Sequence, residues 1–469
     1  MVKAGSPPLW TSAELVAATG GRLLGEGFQA TGVGIDSRAC VPGELFVALA
    51  GARDGHDFIA AARAGGAVGA LTTRQADAPC VIVDDTLVGL RRIGEAARTR
   101  ASKARRGAVT GSVGKTSVTQ LVRAGLDLAG AAHGSVKSYN NHIGVPLTLA
   151  RMPAATRRAI FEIGMNHADE ISPLSRLVRP HAVAITTVEA VHVENFADGE
   201  AGVARAKAEI LDGLEPGGLA ILNADNRWFD VLKAEARRRG AKVRAFGRAK
   251  GAEAQLMRFA PAPGGASVEA RIDDKRVEFP IRQSAAHWGP MSLCALLMMR
   301  ALDVDLDVAL TALAAFEPLE GRGAARPLTG PKGSYLLVDE SYNASPVSVA
   351  AALAALGARP AAGRRIAALT DMLELGSESA ERHIGLARDV QAAGLDLVYC
   401  AGPLMRGLYD ALPPARRGGW APTAEEMFGD LAAALGPGDV VMVKGSHASK
   451  AALLVERLTA LDDETREGR

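Results

Sequence analysis

The stretch VTGSVGKTS, residues 109 to 117, carries the residue types needed to hold the phosphates of a nucleotide. Gly111 and Gly114 let backbone N–H groups close around phosphate oxygens, and a helix beginning near Lys115 offers them its positive end. Lys115 adds a full charge, and the Thr116 hydroxyl suits a magnesium ion. The spacing departs from the standard loop G-x-x-x-x-G-K-[ST], because Val109 stands where the first glycine belongs. Two further segments bear chemistry. FEIGMNHADEI places Glu162 at the end of an apolar run, and TTVEAVHVENF puts His192 shortly after another. A carboxylate and an imidazole there could reach a metal beside the phosphate loop, although magnesium prefers oxygen ligands. Lys207, in ARAKAEIL, reads by itself as an ordinary lysine on an amphipathic helix.

Elements able to position these groups follow from the hydrophobic pattern. RRAIFEIG, HAVAITTV, GLAILNAD and KVRAF read as strands, and SVTQLVRAGLDLAG, EAGVARAKAEILDGL and RWFDVLKAEARRRG as helices. Such alternation predicts a mainly parallel, doubly wound sheet. The strand GAV before the phosphate loop is short. A hairpin-like insert, ASVEARIDDKRVEFPI, and an apolar helix from about Pro290 to Arg300 come next. The last third repeats the alternation with SYLLVDES, RRIAALTDM, LDLVYCAG and DVVMVKGS as strands, predicting a Rossmann-like domain. The first hundred residues read as a compact α/β unit. Ligands of open α/β sheets gather beyond the carboxyl ends of the strands. Thr110, Glu162, Asn223, Asp339, Asp371 and Lys444 all stand at such ends, where each alone also reads as a cap or turn residue.

The 469 residues suffice for two or three domains, each with its own core. Cys40, Cys80, Cys294 and Cys400 form no C-x-x-C pair, which argues for reduced thiols in the cytoplasm and against a disulfide framework or a zinc site. The first residues, MVKAGSPPLW, lack the apolar run of a secretion signal, and no segment has the length of apolar sequence expected of a transmembrane helix. A formal net charge of +2 with 4% aromatics gives little basis for a nucleic-acid surface.

TGSVGKTS, NNHIGVPLTL, FEIGMNHADEI, AVHVENF, AKAEILDGL, GRG, DESYNASP, DMLELG and VKGS occur in the order found in the Mur peptide ligases of bacterial cell-wall synthesis. The chain resembles that family from about Gly32 to Ser446, and T-G-[ST]-x-G-K-[TS] is the family's own form of the phosphate loop. Within the family it is most similar to the branch that adds D-alanyl-D-alanine to a UDP-linked muramoyl tripeptide.

The resemblance implies a three-domain α/β protein: a small UDP-sugar domain over 1–104, a central P-loop-type domain with a mainly parallel sheet over 105–325, and a C-terminal Rossmann-like domain over 326–469. ATP and magnesium are the implied cofactors. The implied substrates are UDP-MurNAc-tripeptide and D-Ala-D-Ala, handled by a monomer. By the same resemblance Ser37, Arg38, Phe46, Asp54, Gly55 and His56 hold the UDP-sugar, with Asn140 and Asn141 lining its channel beside the ATP site. The ATP loop is Thr110, Gly111, Ser112, Val113, Gly114, Lys115, Thr116 and Ser117. Arg322 meets the phosphates, Asp339 the ribose, and Tyr342 and Asn343 lie near the nucleotide. Thr116, Glu162, His192 and Lys207 as its carbamate form the metal site, and Lys115, Lys207, His192 and Arg322 are the catalytic set. Asp371, Glu374, Lys444 and Ser446 are implied on the dipeptide side.

The chain departs from the family pattern in three places. It reads His287-Trp288-Gly289-Pro290-Met291 where the family has H-N-x-x-N, which leaves its adenine contacts open. Thr187 stands in place of an asparagine, and Thr370 in place of a glycine. A ligase adding the third peptide residue shares the amino-terminal segment, but its D-N-P-R signature is absent here. Folylpolyglutamate synthetase does not account for DSR…PGELFVAL…DGHDF. A P-loop ATPase or nucleotide-binding regulator is the reading from another class.

Overall fold

In the computed structural model, residues 8–467 are described except 78, 137, 192 and 263. Three sheets succeed one another along the chain. The first has five strands in the order Arg22–Leu24, Cys80–Ile82, Gly69–Thr72, Glu44–Val47 and Gly32–Gly34, all parallel except the edge strand Arg22–Leu24. A short antiparallel pair, Trp10–Thr11 with Gln29–Ala30, sits beside it.

The central sheet has nine strands. From Ala132–Gly134 through Arg158–Glu162, Arg105–Thr110, Ala182–Ile185, Leu219–Asn223 and Lys242–Gly247 to Ala254–Ala262 neighbours run parallel. Ala254–Ala262, Gly265–Ile272 and Lys275–Ile281 then form an antiparallel meander. The hairpin read from ASVEARIDDKRVEFPI is therefore present, turning through Asp273 and Asp274 at positive φ. Its partner strand AQLMRFAPA carries no clear alternation and is held by pairing on both edges. The strand before the phosphate loop is six residues, longer than GAV, because Arg105 and Arg106 pair in it while their side chains reach main-chain oxygens of Ala301 and Val178.

The third sheet runs Ala324–Gly330, Gly333–Glu340, Val440–Lys444, Arg365–Thr370, Leu397–Ala401 and Arg417–Ala421, parallel beyond its first hairpin.

Helix packing explains why these sheets hold together. In Lys115–Leu128, buried Val118, Leu121, Val122, Gly125 and Leu126 lie three or four residues apart and so share one face. A Cβ on Gly125 would lie 2.1 Å from Met299 Sδ, so glycine is what lets the apolar helix Trp288–Ala301 approach. The first unit is bound to the central one through the same logic. Leu90, Ile93 and Ala97 of Thr86–Arg100 are fully buried in a cluster that continues into Val145 and Leu149. Trp10 Nε1 donates to the carbonyl of Ala150 at 2.8 Å, beneath the Arg100 guanidinium. Burying side chains of this size stabilises by about 1.5–3 kcal/mol each.

One helix is shorter than its pattern. EAGVARAKAEILDGL is α-helical only over Glu200–Ala208, and Glu209–Gly213 tightens into a 3₁₀ turn. There the Glu209 carboxylate accepts the N–H groups of Asp169, Ile171 and Ser172, serving the free end of helix Ile171–Val178.

Candidate active site

Register brings the chemistry to one edge. Glu162 pairs opposite Val109 and Ile185 opposite Thr110, so the phosphate loop, Glu162 and the segment after Ile185 leave the sheet side by side. The loop is shaped by two glycines at positive φ. Gly111, at φ 148°, lies so close to the next strand that a Cβ would come 1.9 Å from Thr186 Oγ1. Gly114, at φ 87°, caps the helix, and a Cβ there would come 2.4 Å from Met291 Cε.

Thr186 Oγ1 donates to the carbonyl of Val113 at 2.5 Å. Ser112 is held as firmly: its N–H donates to Thr187 O at 2.8 Å, and its hydroxyl accepts from Glu189 N at 2.9 Å. Asn226 Nδ2 donates to Thr187 Oγ1 and to Val188 O, each at 2.9 Å. The loop is thus preorganised by residues that composition could not single out.

Lys115 folds back onto its own loop, with Nζ 2.7 Å from Gly111 O and 3.5 Å from Ser112 O. Burial lowers its pKa, Glu162 opposes that, and Arg322 adds to it. Glu162 is 1% exposed; Asn140 Nδ2 donates to its Oε1 at 2.7 Å, and its Oε2 is buried without a hydrogen-bond partner among the described residues. Lys207 is 2% exposed, and its side chain has no hydrogen-bond partner among the described residues. Burial, and then the charge of Lys115, push it well below the usual lysine range. His192 lies outside the described residues.

Arg322 comes from the hinge before the third sheet. Its guanidinium lies 4.0 Å over the Tyr342 ring and donates to Thr116 Oγ1 at 3.1 Å, across 206 positions of sequence. Thr116 Oγ1 also lies 3.0 Å from Ser138 Oγ. The Asp339 carboxylate builds the hinge: Oδ2 accepts Gly321 N–H at 2.8 Å, and Oδ1 accepts the N–H and hydroxyl of Ser341.

A cavity of about 440 Å³ opens between the two sheets. The phosphate loop and Glu162 form one wall, and Arg322, Tyr342, Asn343 and Lys444 the other. His287, Trp288 and Met291 line it too, so the segment that departs from the H-N-x-x-N pattern meets the same space. Burial lowers the His287 pKa and favours a neutral imidazole.

The sequence and the fold are both similar to those of known proteins. The family description "Mur ligase family, catalytic domain" matches residues 29–98, "Mur ligase middle domain" residues 109–299, and "Mur ligase, glutamate ligase domain" residues 329–447. A UDP-N-acetylmuramoyl-tripeptide--D-alanyl-D-alanine ligase of Escherichia coli (strain K12) is 34% identical over 400 residues, 84% of this chain and 86% of that protein. The chain belongs to the Mur ligase family.

Among solved structures, MurF from Acinetobacter baumannii superposes with a TM-score of 0.83 at 25% identity, covering 96% of this chain and 99% of that one. A MurF ligase from Thermotoga maritima, solved in complex with ADP, shares the fold with a TM-score of 0.76 at 23% identity over 92% and 98% of the two chains.

The remaining candidate residues of this Mur ligase fall into separate places. Ser37 and Arg38 lie in a short exposed turn, where both Nε and Nη2 of Arg38 bond Asp36. Gly55 and His56 lie in a second turn capped by Asp54, whose Oδ1 is 2.5 Å from His56 Nδ1. His56 Nε2 accepts the N–H of Thr73 at 3.0 Å. Phe46 is 2% exposed in a core with Ala48, Ile59 and Ala62, so the structure gives its ring a packing role. Asn140 joins the Glu162 site, while Asn141 Oδ1 accepts the N–H groups of Ile143 and Gly144 and starts the next helix.

On the third sheet, Asp371 takes Met405 N–H at 2.9 Å. Ser446 Oγ accepts Leu373 N–H at 2.9 Å, and Glu374 has a positive φ of 63°. Lys444 is buried, with Nζ 3.0 Å from Asn343 O and 3.4 Å from Glu340 Oε2. It faces the cavity shared with the phosphate loop rather than a separate one. Thr186, Glu189, Asn226 and Ser138 were not singled out by sequence. For Glu189 and Asn226, whose side chains bond Thr187, that unusual threonine was an available signal.

Proposed function

We propose that this Mur ligase joins D-alanyl-D-alanine to UDP-N-acetylmuramoyl-tripeptide, cleaving ATP to ADP and phosphate and forming the pentapeptide precursor of peptidoglycan. One observation carries the reading: a complete phosphate loop and an arginine from the next domain meet in one cavity, in a chain that aligns over 84% of its length with an E. coli ligase of that name. The first unit takes the UDP-sugar, the central one ATP, and the third the dipeptide. No helix among the described residues is long and apolar enough to cross a membrane. A monomeric enzyme in the cytoplasm is part of the same proposal.

The terminal carboxylate of the tripeptide attacks the γ-phosphorus, and the bond to the bridging oxygen breaks to release ADP. Two anions must approach, and Lys115 and Arg322 supply fixed positive charge to the transferring phosphoryl group. For this, Lys115 exchanges the carbonyls of Gly111 and Ser112 for phosphate oxygens, and Arg322 turns from Thr116. The dipeptide amine then attacks the acyl carbon of the acyl phosphate, phosphate leaves, and the amine proton passes to solvent. Closure of the third domain excludes water from the acyl phosphate.

The residues fit magnesium. Glu162 Oε2 is a buried carboxylate oxygen lacking a partner among the described residues, and the Thr116 hydroxyl lies beside the same cavity. No cluster of three His, Cys, Asp or Glu side chains exists among the described residues. Glu162, Thr116, His192 and Lys207 as its carbamate are the proposed holders. Bound there, magnesium would neutralise phosphate charge. Burial of Lys207 favours the neutral amine that carbon dioxide requires, and carbamate formation releases one proton.

The test is mass spectrometry of the product with ATP, UDP-tripeptide and D-Ala-D-Ala, alongside phosphate release. Release that requires both acceptor substrates is expected. ATP hydrolysis indifferent to them would make the protein an ATPase or regulator.

A further inference from the structure

His383 is fully buried in helix Ser379–Ala392, yet no step above uses it. Its two nitrogens have different partners. Nε2 faces the N–H of Met372 at 2.9 Å, which can only donate, so Nε2 is the acceptor. Nδ1 therefore carries the proton and donates to Ser379 O at 2.6 Å, which selects one tautomer of the neutral ring. Burial lowers its pKa, against Ser379 and Asp371, and keeps the acceptor available near neutral pH.

Met372 belongs to a loop that is tied at its neighbours as well. The carbonyl of Asp371 accepts Ser446 N–H at 3.1 Å, Leu373 N–H donates to Ser446 Oγ, and the Asp371 carboxylate caps helix Met405–Ala411. The loop then turns through Glu374 and Gly376 at positive φ and reaches the central domain, where a Cβ on Gly376 would lie 3.3 Å from Glu194 Cβ. One segment thus touches the end of the strand bearing Lys444 and the central domain together. From helix Ser379–Ala392 the His383 acceptor ties the loop at Met372 N–H.

We propose that His383 is a positioning residue for the amine-accepting half of the reaction, fixing the 371–376 loop between the two domains by accepting the Met372 N–H. The inference rests on the dipeptide-side placement of Asp371, Glu374 and Ser446 made above. The charged group that bears on the ring is Asp371. Helix Pro346–Ala358, packed on the same helix, has no titratable residue; Met405–Ala411 brings Tyr409 and the mutually paired Arg406 and Asp410.

Two substitutions separate the ring's two bonds. His383→Gln carries an amide oxygen about as far as Nε2 and keeps the acceptor; His383→Asn reaches only to Nδ1 and leaves Met372 N–H unpaired. We expect the Asn variant to raise KM for D-Ala-D-Ala at least tenfold, with KM for ATP and UDP-tripeptide within threefold. The acyl phosphate trapped by hydroxylamine, which needs no dipeptide, should be unchanged, and the Gln variant should behave as wild type. Equal dipeptide KM in the two variants, or a rise common to all three substrates, overturns the proposal. If wild type traps acyl phosphate yet ignores D-Ala-D-Ala, the functional reading fails instead. Should the Asn variant not fold, hydrogen exchange of the peptide spanning 371–376, corrected for intrinsic rates, decides. From pH 8 to pH 5 wild type should lose protection at least tenfold more than Gln, which does not titrate, and equal losses overturn the proposal.

Discussion

Gly111→Ala tests the geometry of the phosphate loop most directly. The new Cβ would lie 1.9 Å from Thr186 Oγ1 and 3.1 Å from Thr186 Cβ, far inside van der Waals contact, at a φ of 148° that side chains avoid. Thr186 is poorly placed to yield, being 4% exposed with its N–H on Thr110 O and its hydroxyl on Val113 O. Backbone strain of about 1–3 kcal/mol and overpacking of about 1–3 kcal/mol therefore act together. The loop relieves them by moving about 1 Å, enough to cost about 100-fold in rate, or ~2.7 kcal/mol.

We expect kcat/KM for ATP, followed by coupled ADP release, to fall about 100-fold while the circular dichroism spectrum is retained. Thr186→Ala alone should cost about tenfold through its lost hydrogen bond. The double variant should be no worse than Gly111→Ala, because removing Oγ1 removes the worst clash, a coupling of ~1–2 kcal/mol. Gly111→Ala within threefold of wild type, or strictly additive losses, would refute the reasoning.

Lys207→Ala should be nearly inactive and partly rescued by short-chain carboxylic acids, and folded wild type given labelled bicarbonate should show a carbamate by carbon-13 NMR; full activity of the variant would return Lys207 to a packing role. Arg38→Ala should weaken UDP-tripeptide binding about tenfold in titration calorimetry while leaving ATP binding within twofold. Equal losses for both ligands would misplace the uridine site. His133, whose Nε2 lies 2.7 Å from Thr148 O, is held down to about 4 mainly by burial, below its ordinary 6.5. A depressed histidine stabilises the fold fully above about 6.5, and that contribution is lost as pH falls toward 4. His133→Gln keeps a donor for Thr148 without titrating, so its urea midpoint should fall less than that of wild type between these pH values, and parallel curves would contradict the assignment.

The sequence by itself determined the phosphate loop, because backbone conformation, charge and hydroxyl must there be contiguous, and a run such as TGSVGKTS fixes all three. It also determined the alternation of strands and helices, since buried parallel strands announce themselves as apolar runs. Elements held by pairing rather than pattern were not legible. AQLMRFAPA lacks alternation, and Ala132–Gly134 and Ala324–Gly330 are edge strands that their neighbours define. The reach of Arg322 to Thr116 across 206 positions, and the meeting of Lys444 with the phosphate-loop cavity, were decided by how the sheets sit together.

So were the uses of polar groups. Asp339 and Asp371 stand at strand ends just as Glu162 does, yet backbone N–H groups occupy their carboxylates, while Glu162 keeps one oxygen buried without a partner among the described residues. Lys207 differs from other helical lysines only by burial beside Lys115, a property of its surroundings that no local pattern records. Local conformation is written in neighbouring residues, whereas desolvation and partnership depend on atoms that chain folding brings from far away.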